Sequence, residues 1–391
     1  MAGALVTGAT GFIGGRLTEV LVALGVPVRA LVRTWSAAAR ISRLPVTMLP
    51  GDVLDLDAVR RAMAGCDVVY HCAVDWRGGG RQNRLSSARG TRNVLQAAAD
   101  AGVSRVVFLS TVGVFGRSPA KPLVTEDEPT PHTGDDYGDG KIDAERAALD
   151  VHRTRGLPVV ILRPTIVYGP FSRSWTVSTV AAIREGRMVL VDGGAGVCNA
   201  LYVDNLIEAM LLAARHPQAS GQVFHISDPE VVTWKTFIEA HARALGEGYL
   251  PLPEMTAAEI ERRRGEARQA RRSTIKESLR ILRDRQMRQA LMRIPAVGRV
   301  GELARWAART VVPPGMQRRL REYVVSATLA APEEPSAPAG PALPSRSLVQ
   351  IYASRTVFSV EKARRVLGYA PGVDFQEGMR RTAEWVRWAR L

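Results

Sequence analysis

Tyr137 and Lys141 lie four residues apart in the run Tyr137-Gly138-Asp139-Gly140-Lys141, and both side chains can take part in proton transfer. Positions i and i+4 of a helix share one face, so the ammonium of Lys141 can lie beside the phenol of Tyr137. Lysine is scarce here, since only five of the 53 basic residues are lysines. The spacing predicts an acid-base pair on one helix, and the alternative is an exposed aromatic-basic pair without a chemical role.

A glycine-rich turn follows the first apolar segment of the chain. Ala4-Leu5-Val6-Thr7 has the character of a buried strand, Gly8 to Gly14 follow, and the stretch from Arg16 to Leu24 is helical in pattern. Gly25 then ends the helix, and Val28 to Val32 predict a second strand. In this order of elements, backbone N–H groups and a helix N-terminus can hold a pyrophosphate, and glycine lets it approach closely. The segment predicts a dinucleotide site; a purely structural turn is the alternative.

A dinucleotide would complete the proposed chemistry of the Tyr137–Lys141 pair. A free tyrosine has a pKa near ~10 and is a poor acid-base group at neutral pH. Lowering this pKa by about 3 units requires roughly 4 kcal/mol of preferential stabilisation of the phenolate. The ammonium of Lys141 and a positive nicotinamide ring can supply it jointly, so we expect a lowered pKa for Tyr137.

The end of the second strand predicts which dinucleotide binds. An acidic residue there accepts the adenosine ribose hydroxyls of NAD, but this chain has Val32 followed by Arg33. An arginine favours the additional phosphate of NADP, and Arg40 is close enough in sequence to assist. We therefore predict NADP, with NAD as the alternative, and an adenine contact at Asp52 and Val53.

Several further segments match one family in the same order along the chain. The chain resembles the extended short-chain dehydrogenase/reductases, also known as the NAD-dependent epimerase/dehydratase superfamily, over roughly residues 1–245 and again over 359–385. The matching segments are the glycine turn, Tyr70-His71-Cys72-Ala73, Gly90-Thr91-Arg92-Asn93-Val94-Leu95, Leu109-Ser110-Thr111-Val112-Gly113-Val114-Phe115-Gly116, the Tyr137–Lys141 run and Leu162-Arg163-Pro164-Thr165-Ile166-Val167-Tyr168-Gly169-Pro170.

This resemblance implies roles for individual residues. Thr111 stands where the family has its catalytic Ser or Thr, with Ser110 as the fallback; Tyr137 is the acid-base and Lys141 its modulator. Ser87 replaces the family's usual Asn before the Gly-Thr pair. The cofactor contacts implied or predicted are Gly8, Thr10, Gly11, Phe12, Ile13, Gly14, Arg33, Arg40, Asp52, Val53, Ala73, Tyr137, Lys141, Pro164 and Thr165. The candidate substrate residues are Thr111, Ile166, Tyr168 and Trp175.

Departures from the family pattern narrow the branch. Dehydratases of nucleotide sugars carry Asp-Glu where this chain has Val112-Gly113. Enzymes acting on nucleotide sugars commonly have Asn at the position of Ile166 and Arg at that of Cys198, so both polar contacts are missing. The pattern is closest to the 3β-hydroxysteroid dehydrogenase-like branch. We expect an oxidoreductase that interconverts an alcohol and a ketone on a fairly hydrophobic small molecule; the alternatives are a nucleotide-sugar epimerase and a non-catalytic cofactor-sensing protein.

Composition sets the outer bounds on class and location. No run of the 391 residues approaches the ~20 apolar residues of a membrane-spanning helix, and the first strand follows Met1-Ala2-Gly3 directly, which leaves no room for a signal peptide. The cysteines Cys66, Cys72 and Cys198 lack the spacing of a disulfide framework or metal site. These features predict a cytoplasmic protein without a metal.

A basic segment interrupts the matching regions. Residues 261–320 hold 17 of the arginines and lysines against 5 acids, and the pattern from Glu259 to Met292 is helical. A second amphipathic stretch follows Pro295. The segment predicts either a solvated lid over the substrate cleft or peripheral contact with an anionic membrane through 259–320. Nucleic-acid binding ranks third because no recognisable module is present.

The elements together predict an α/β protein with a Rossmann-type, doubly wound parallel sheet, a smaller C-terminal substrate lobe and a helical basic insert. The NADP-binding domain is predicted at 1–170, with later segments near 199–227 contributing. The substrate lobe is predicted at 171–391, including the insert at 256–327 and a Pro-rich linker at 328–348. Helices are expected at Glu361 to Leu367 and near Met379 to Arg390. A homodimer is left open.

Overall fold

The computed structural model describes residues 3–74, 80–269 and 343–391. Its strands are β1 (Ala4–Thr7), β2 (Val28–Val32), β3 (Val46–Pro50), β4 (Val68–His71), β5 (Arg105–Leu109), β6 (Leu123–Val124), β7 (Val159–Pro164), β8 (Ile166–Tyr168), β9 (Leu190–Val191), β10 (Ala200–Tyr202), β11 (Val223–Ile226), β12 (Glu254–Met255) and β13 (Val357–Phe358). Its helices are α1 (Phe12–Ala23), α2 (Leu56–Met63), α3 (Gly80–Ala101), α4 (Asp136–Arg155), α5 (Ser178–Arg184), α6 (Val203–Arg215), α7 (Trp234–Leu245), α8 (257–269), α9 (Arg346–Ala353), α10 (Glu361–Leu367) and α11 (Phe375–Trp388).

Seven strands form one parallel sheet in the order β11-β7-β5-β4-β1-β2-β3. The chain builds outward from β1 through β2 to β3 and then returns to the other side of β1 with β4, so the winding direction reverses between β1 and β4. A reversal of this kind opens a crevice at the carboxyl ends of the two strands. The predicted Rossmann-type doubly wound sheet is confirmed.

Helices cover both faces of the sheet, which explains why its central strands are almost continuously apolar. Every residue of β1, β4 and β7 is buried. Helices α2, α3 and α4 close the main apolar core on one face, and α1 and α6 pack together on the other. Strands buried on both faces need no alternation of polar and apolar residues. A short, continuous apolar run in the sequence therefore predicts such a strand.

The remaining strands form three parallel pairs, β8 with β10, β9 with β12 and β6 with β13. By internal contacts the chain divides into Met1–Ala257 with Pro344–Leu391, and Ala258–Leu343. Of the second unit, residues 258–269 and 343 are described, and 258–269 are helical. The domain boundary at 170 stays a prediction, as does the homodimer.

Several predicted element bounds can be compared with the structure. Strands β1 and β2 and helix α10 have the predicted bounds, whereas α1 begins at Phe12 rather than Arg16 and α11 runs from Phe375 to Trp388. The predicted linker 328–348 is wrong at its end, because α9 begins at Arg346. Most of the insert 256–327 lies outside the described residues, so its role as a lid or membrane contact stays a prediction. No described helix is long and apolar enough to cross a membrane.

Candidate active site

A cavity of about 930 Å³ lies at the carboxyl end of the sheet, where β1, β4, β5 and β7 finish. Its position matches the crevice that the reversal of strand order creates. The cavity collects residues from distant parts of the chain: the glycine turn, the ends of β2 and β3, the start of α4 and the segments after β7. The predicted site residues that line it are Gly8, Thr10, Gly11, Phe12, Ile13, Gly14, Arg33, Arg40, Asp52, Val53, Ala73, Thr111, Tyr137, Lys141, Pro164, Thr165, Ile166 and Trp175.

The glycine turn has the geometry that close approach of a phosphate requires. Gly8 has φ +75°, and a Cβ at Gly14 would lie 2.3 Å from the carbonyl oxygen of Gly8. Gly11 caps α1, and no side chain bonds to the first N–H groups of that helix. Those N–H groups and the positive end of the helix dipole suit a pyrophosphate. The residues present therefore fit a dinucleotide.

The two arginines predicted to recognise NADP are placed differently. Arg33 follows β2 on the exposed rim of the cavity. The guanidinium of Arg40 donates to both carboxylate oxygens of Glu19, at 2.7 and 3.0 Å, and also to the carbonyl of Phe12 at 3.2 Å. It also lies over the ring of Phe171, 4.2 Å from the centroid. Glu19 therefore offsets the charge of Arg40.

Tyr137 lies in the first turn of α4, two residues after the N-cap. The side chain of Asp135, the N-cap, accepts a hydrogen bond from the backbone N–H of Gly138 at 3.0 Å. Gly138 is needed because a Cβ there would lie 2.6 Å from the carbonyl oxygen of Gly113. This close approach brings the start of α4 against the 3₁₀ turn after Thr111. The hydroxyl of Thr111 is hydrogen-bonded to Tyr137.

Lys141 follows one turn later and is 5% exposed. Its Nζ donates a 2.7 Å hydrogen bond to the carbonyl oxygen of Leu109 at the end of β5, and it lies 4.9 Å from the centroid of the Phe108 ring. The strand end therefore fixes the ammonium at the floor of the cavity. Tyr137 and Lys141 lie one turn apart on α4, as the i, i+4 spacing predicted, and Thr111 lines the same cavity.

Burial shifts the two titrating groups of this pair in opposite directions. Desolvation raises the pKa of Tyr137 to about 12, opposed by the positive charge of Arg117 and the hydrogen bond with Thr111. Desolvation also lowers the pKa of Lys141 to about 8, opposed by the charges of Cys72 and Glu145. In the protein alone, the cost of burying a phenolate outweighs the nearby positive charge. The joint lowering of this pKa by Lys141 and a nicotinamide ring stays a prediction.

A buried ionic cluster lies directly beneath the pair. The hydroxyl of Ser110 donates to Glu145 at 2.5 Å, and Glu145 accepts two hydrogen bonds from Arg163, at 3.0 and 2.7 Å. The side chains of Glu145 and Arg163 are only 4% and 6% exposed. Since the Ser110 hydroxyl is used in this cluster, Thr111 is the better candidate to contact substrate.

The far wall of the cavity is mostly apolar. Ile166 and Trp175 face it as predicted, and Trp234 and Phe358 join them from distant parts of the chain. Val197, Asn199, Ile351 and Ser354 complete this wall. Cys198, between Val197 and Asn199, is fully buried and does not line the cavity. An apolar wall of this kind suits the hydrophobic part of a ligand.

Tyr168 is a correction to the predicted substrate residues. Its side chain is fully buried and does not line the cavity. It packs against Tyr202, Phe237 and Phe375, with ring centroids 5.5 to 5.8 Å apart. Ile166 lines the cavity, whereas Tyr168, two residues later on β8, is enclosed by these aromatic rings. Its role is packing.

Sequence reasoning missed the residues that reach the cavity only through tertiary structure. Arg117 lines it beside Tyr137, and Trp234, Ile351 and Phe358 arrive from α7, α9 and β13. A cation shortly after the Thr111 segment was a usable signal for Arg117; the other three have no local motif. No group of His, Cys, Asp or Glu suited to a metal ion occurs within residues 3–74, 80–269 and 343–391.

Known proteins with similar sequences include reductases and dehydrogenases. The 4-hydroxy-2-methyl-3-oxo-4-farnesyl-3,4-dihydroquinoline-1-oxide ketoreductase of Stigmatella aurantiaca is 33% identical over 240 residues, 60% of this chain and 70% of the relative. A 3-beta-hydroxysteroid dehydrogenase of Mycolicibacterium neoaurum is 29% identical over 259 residues, 62% of this chain and 70% of the relative. The predicted resemblance to reductases that include a 3β-hydroxysteroid dehydrogenase is confirmed.

Solved structures support the same fold. The UDP-glucose 4-epimerase of Thermotoga maritima, solved with UDP-glucose, superposes with a TM-score of 0.66 at 18% identity, covering 100% of both chains. At this identity the likeness shows the fold alone. The model of the NAD dependent epimerase/dehydratase family matches residues 4–227, which include the glycine turn, Thr111, Tyr137 and Lys141. The chain therefore belongs to the NAD dependent epimerase/dehydratase family.

Proposed function

We propose that this protein is an NADP-preferring oxidoreductase that interconverts a ketone and an alcohol on a fairly hydrophobic small molecule. The observation that carries the proposal is the shared cavity: Thr111, Tyr137 and Lys141 line it together with the glycine turn, and the wall beyond Ile166 is apolar. Enzymes that act on nucleotide sugars commonly have Asn at the position of Ile166, and this chain has an apolar side chain there.

The roles of the side chains follow from their placement. A bound nicotinamide dinucleotide supplies or accepts the hydride. The hydroxyls of Thr111 and Tyr137 hold the substrate oxygen, and the phenol of Tyr137 donates its proton to that oxygen as the carbonyl becomes an alcohol. Lys141, fixed at Leu109, provides the positive charge that stabilises the phenolate left behind. The apolar wall holds the rest of the substrate away from water.

The names of the two relatives support this assignment. One is named a ketoreductase of a farnesyl-bearing compound and the other a dehydrogenase of hydroxysteroids. Both names combine a reacting oxo or hydroxyl group with a large apolar body. The cavity of this chain combines the same two features, a proton-transfer pair and an apolar wall.

Preference for NADP rests on Arg33 after β2, where an acidic residue would favour NAD. Arg33→Gln is expected to weaken NADPH binding about 10- to 100-fold, the loss of one or two charge-assisted hydrogen bonds, and to leave NADH binding nearly unchanged. The measurement is titration of both dinucleotides into purified protein. A wild-type preference for NADH would refute the argument.

The activity test is a screen of hydrophobic ketones with purified full-length protein, followed by NADPH absorbance and product analysis. Consumption of NADPH in proportion to the alcohol formed supports the oxidoreductase. Interconversion of nucleotide sugars with the dinucleotide unchanged would identify an epimerase instead. Dinucleotide binding without turnover of any compound would favour a cofactor-sensing protein.

A further inference from the structure

The cavity is strongly basic at its substrate end as well as at its dinucleotide end. The described residues that line it include five basic side chains and one acidic side chain, Asp52. Arg33 and Arg40 belong to the dinucleotide end, and Lys141 lies at the floor. Arg117 and Arg173 are left, and both come from segments that border the substrate region, after the Thr111 turn and beside Trp175.

Arg117 is held in place without using all of its donors. Its Nη2 donates to Oδ1 of Asp135 at 2.7 Å, while its Nε is closed to solvent and has no hydrogen-bond partner in the described part of the chain. A guanidinium has five N–H donors in a planar fork, and it can bind two carboxylates along different edges. The side chain is 31% exposed, so the group is accessible from the cavity that it lines.

Asp135 does not simply cancel the charge of Arg117. Its second carboxylate oxygen caps α4 by accepting from the N–H of Gly138, so its negative charge is shared between the helix N-terminus and the arginine. Asp135 lies two residues before Tyr137, so its ion pair with Arg117 places the guanidinium near the phenol, where the positive charge opposes the cost of forming the phenolate. Arg117 therefore lies at the reacting end of the cavity rather than at its outer mouth.

We propose that Arg117 binds a carboxylate of the substrate, and that the preferred substrates are apolar ketones or alcohols with a carboxylate within a few bonds of the reacting carbon. This inference rests on the proposed function and names its substrate class. The carbonyl oxygen meets Thr111 and Tyr137, the carboxylate meets Arg117, and the apolar remainder lies against Trp234 and Phe358.

The test compares a long-chain 3-oxo acid, freshly prepared, with its methyl ester, using full-length protein and NADPH. The two probes share the ketone and the chain and differ only in the negative charge. Wild type is expected to show a higher kcat/KM for the acid. In Arg117→Met the ratio of acid to ester is expected to fall about 10- to 100-fold, the loss of a hydrogen bond to a charged group. Arg117→Lys keeps the charge and is expected to retain part of the preference.

Arg173→Met is the matched control, because Arg173 lines the same cavity but is exposed to solvent. Its acid-to-ester ratio should stay within about threefold of wild type, as for an exposed charge. NADPH binding by Arg117→Met should be unchanged, which separates loss of the carboxylate contact from misfolding of the cavity.

Three results would overturn the inference. The first is equal turnover of acid and ester by wild type, and the second is an equal loss on both probes in Arg117→Met with NADPH binding intact. Turnover of neither probe would challenge the proposed function, so a titration of the 3-hydroxy acid into the protein with NADP is run in parallel. The third overturning result is equal affinity of wild type and Arg117→Met for the 3-hydroxy acid in that titration.

Discussion

Replacement of Glu145 by Gln should destabilise the protein strongly, although Glu145 does not line the cavity. The change removes the carboxylate that accepts two hydrogen bonds from Arg163 and leaves that guanidinium buried without its counter-charge. Among the described residues, Nη1 of Arg163 already has no hydrogen-bond partner. Breaking a buried pair in this way costs about 3–5 kcal/mol in free energy of unfolding.

The companion variants show whether the cost comes from the unpaired charge. Arg163→Met should also lower the free energy of unfolding by about 3–5 kcal/mol. The double variant removes both charges, so its loss should be about 3 kcal/mol smaller than the sum of the two single losses. The assay is urea unfolding of all four proteins. Asp150→Asn is the control: it breaks an ion pair with Arg153 whose side chains are 59% and 77% exposed, and should cost less than about 0.5 kcal/mol. Single costs that add within about 0.5 kcal/mol would refute the reasoning.

Three further outcomes are expected at the active site. Tyr137→Phe should lower turnover by about 10²- to 10⁴-fold with NADPH binding retained, and unaltered turnover would exclude Tyr137 as the acid. Gly14→Ala should abolish dinucleotide binding as measured by titration, because its Cβ would lie 2.3 Å from the carbonyl oxygen of Gly8; retained affinity would contradict the cradle geometry. Lys141, with its pKa near 8, is charged below that pH and neutral above it, so kcat/KM should fall as the pH rises through about 8. In the unfolded chain the pKa of this lysine is about 10.4. Burial of its ammonium therefore lowers the free energy of unfolding below pH 8, and this cost is relieved as the pH rises from about 8 to 10.4. Lys141→Arg stays charged and should lack the fall, and a fall that persists would assign it to another group.

Local patterns predicted the elements whose formation depends on local sequence. The apolar runs at β1 and β2 and the helix α10, which Gly368 ends in the left-handed conformation, had the expected bounds. Helix α1 was predicted to begin four residues too late. Its first turn contains Gly14 and Gly15, which are poor helix formers, but there the close approach of Gly14 to Gly8 requires the absence of a side chain. Tertiary packing outweighs propensity at that point.

Site residues that belong to a local motif could be predicted from the sequence. Those that reach the cavity only through tertiary structure could not. The i, i+4 spacing placed Tyr137 and Lys141 on one face of α4, and the glycine turn placed the dinucleotide cradle. Trp234 and Phe358 lie about 100 and more than 200 residues beyond Tyr137 in the sequence, and they reach the cavity through α7 and the pairing of β13 with β6. Tyr168 was misassigned because the resemblance covers its segment without indicating that Tyr202, Phe237 and Phe375 enclose its ring.

The charge states of the buried pair bear on how Tyr137 works. One cause acts on both groups: burial disfavours the phenolate of Tyr137 and the ammonium of Lys141 alike. At neutral pH the phenol therefore keeps its proton while Lys141, with its pKa near 8, is still mostly charged. A protonated phenol next to an ammonium is prepared to donate a proton to a carbonyl oxygen, and the ammonium then stabilises the phenolate that forms. In the proposed reaction Lys141 thus acts after the proton has left rather than by removing it beforehand, and this order suits reduction of a ketone at neutral pH.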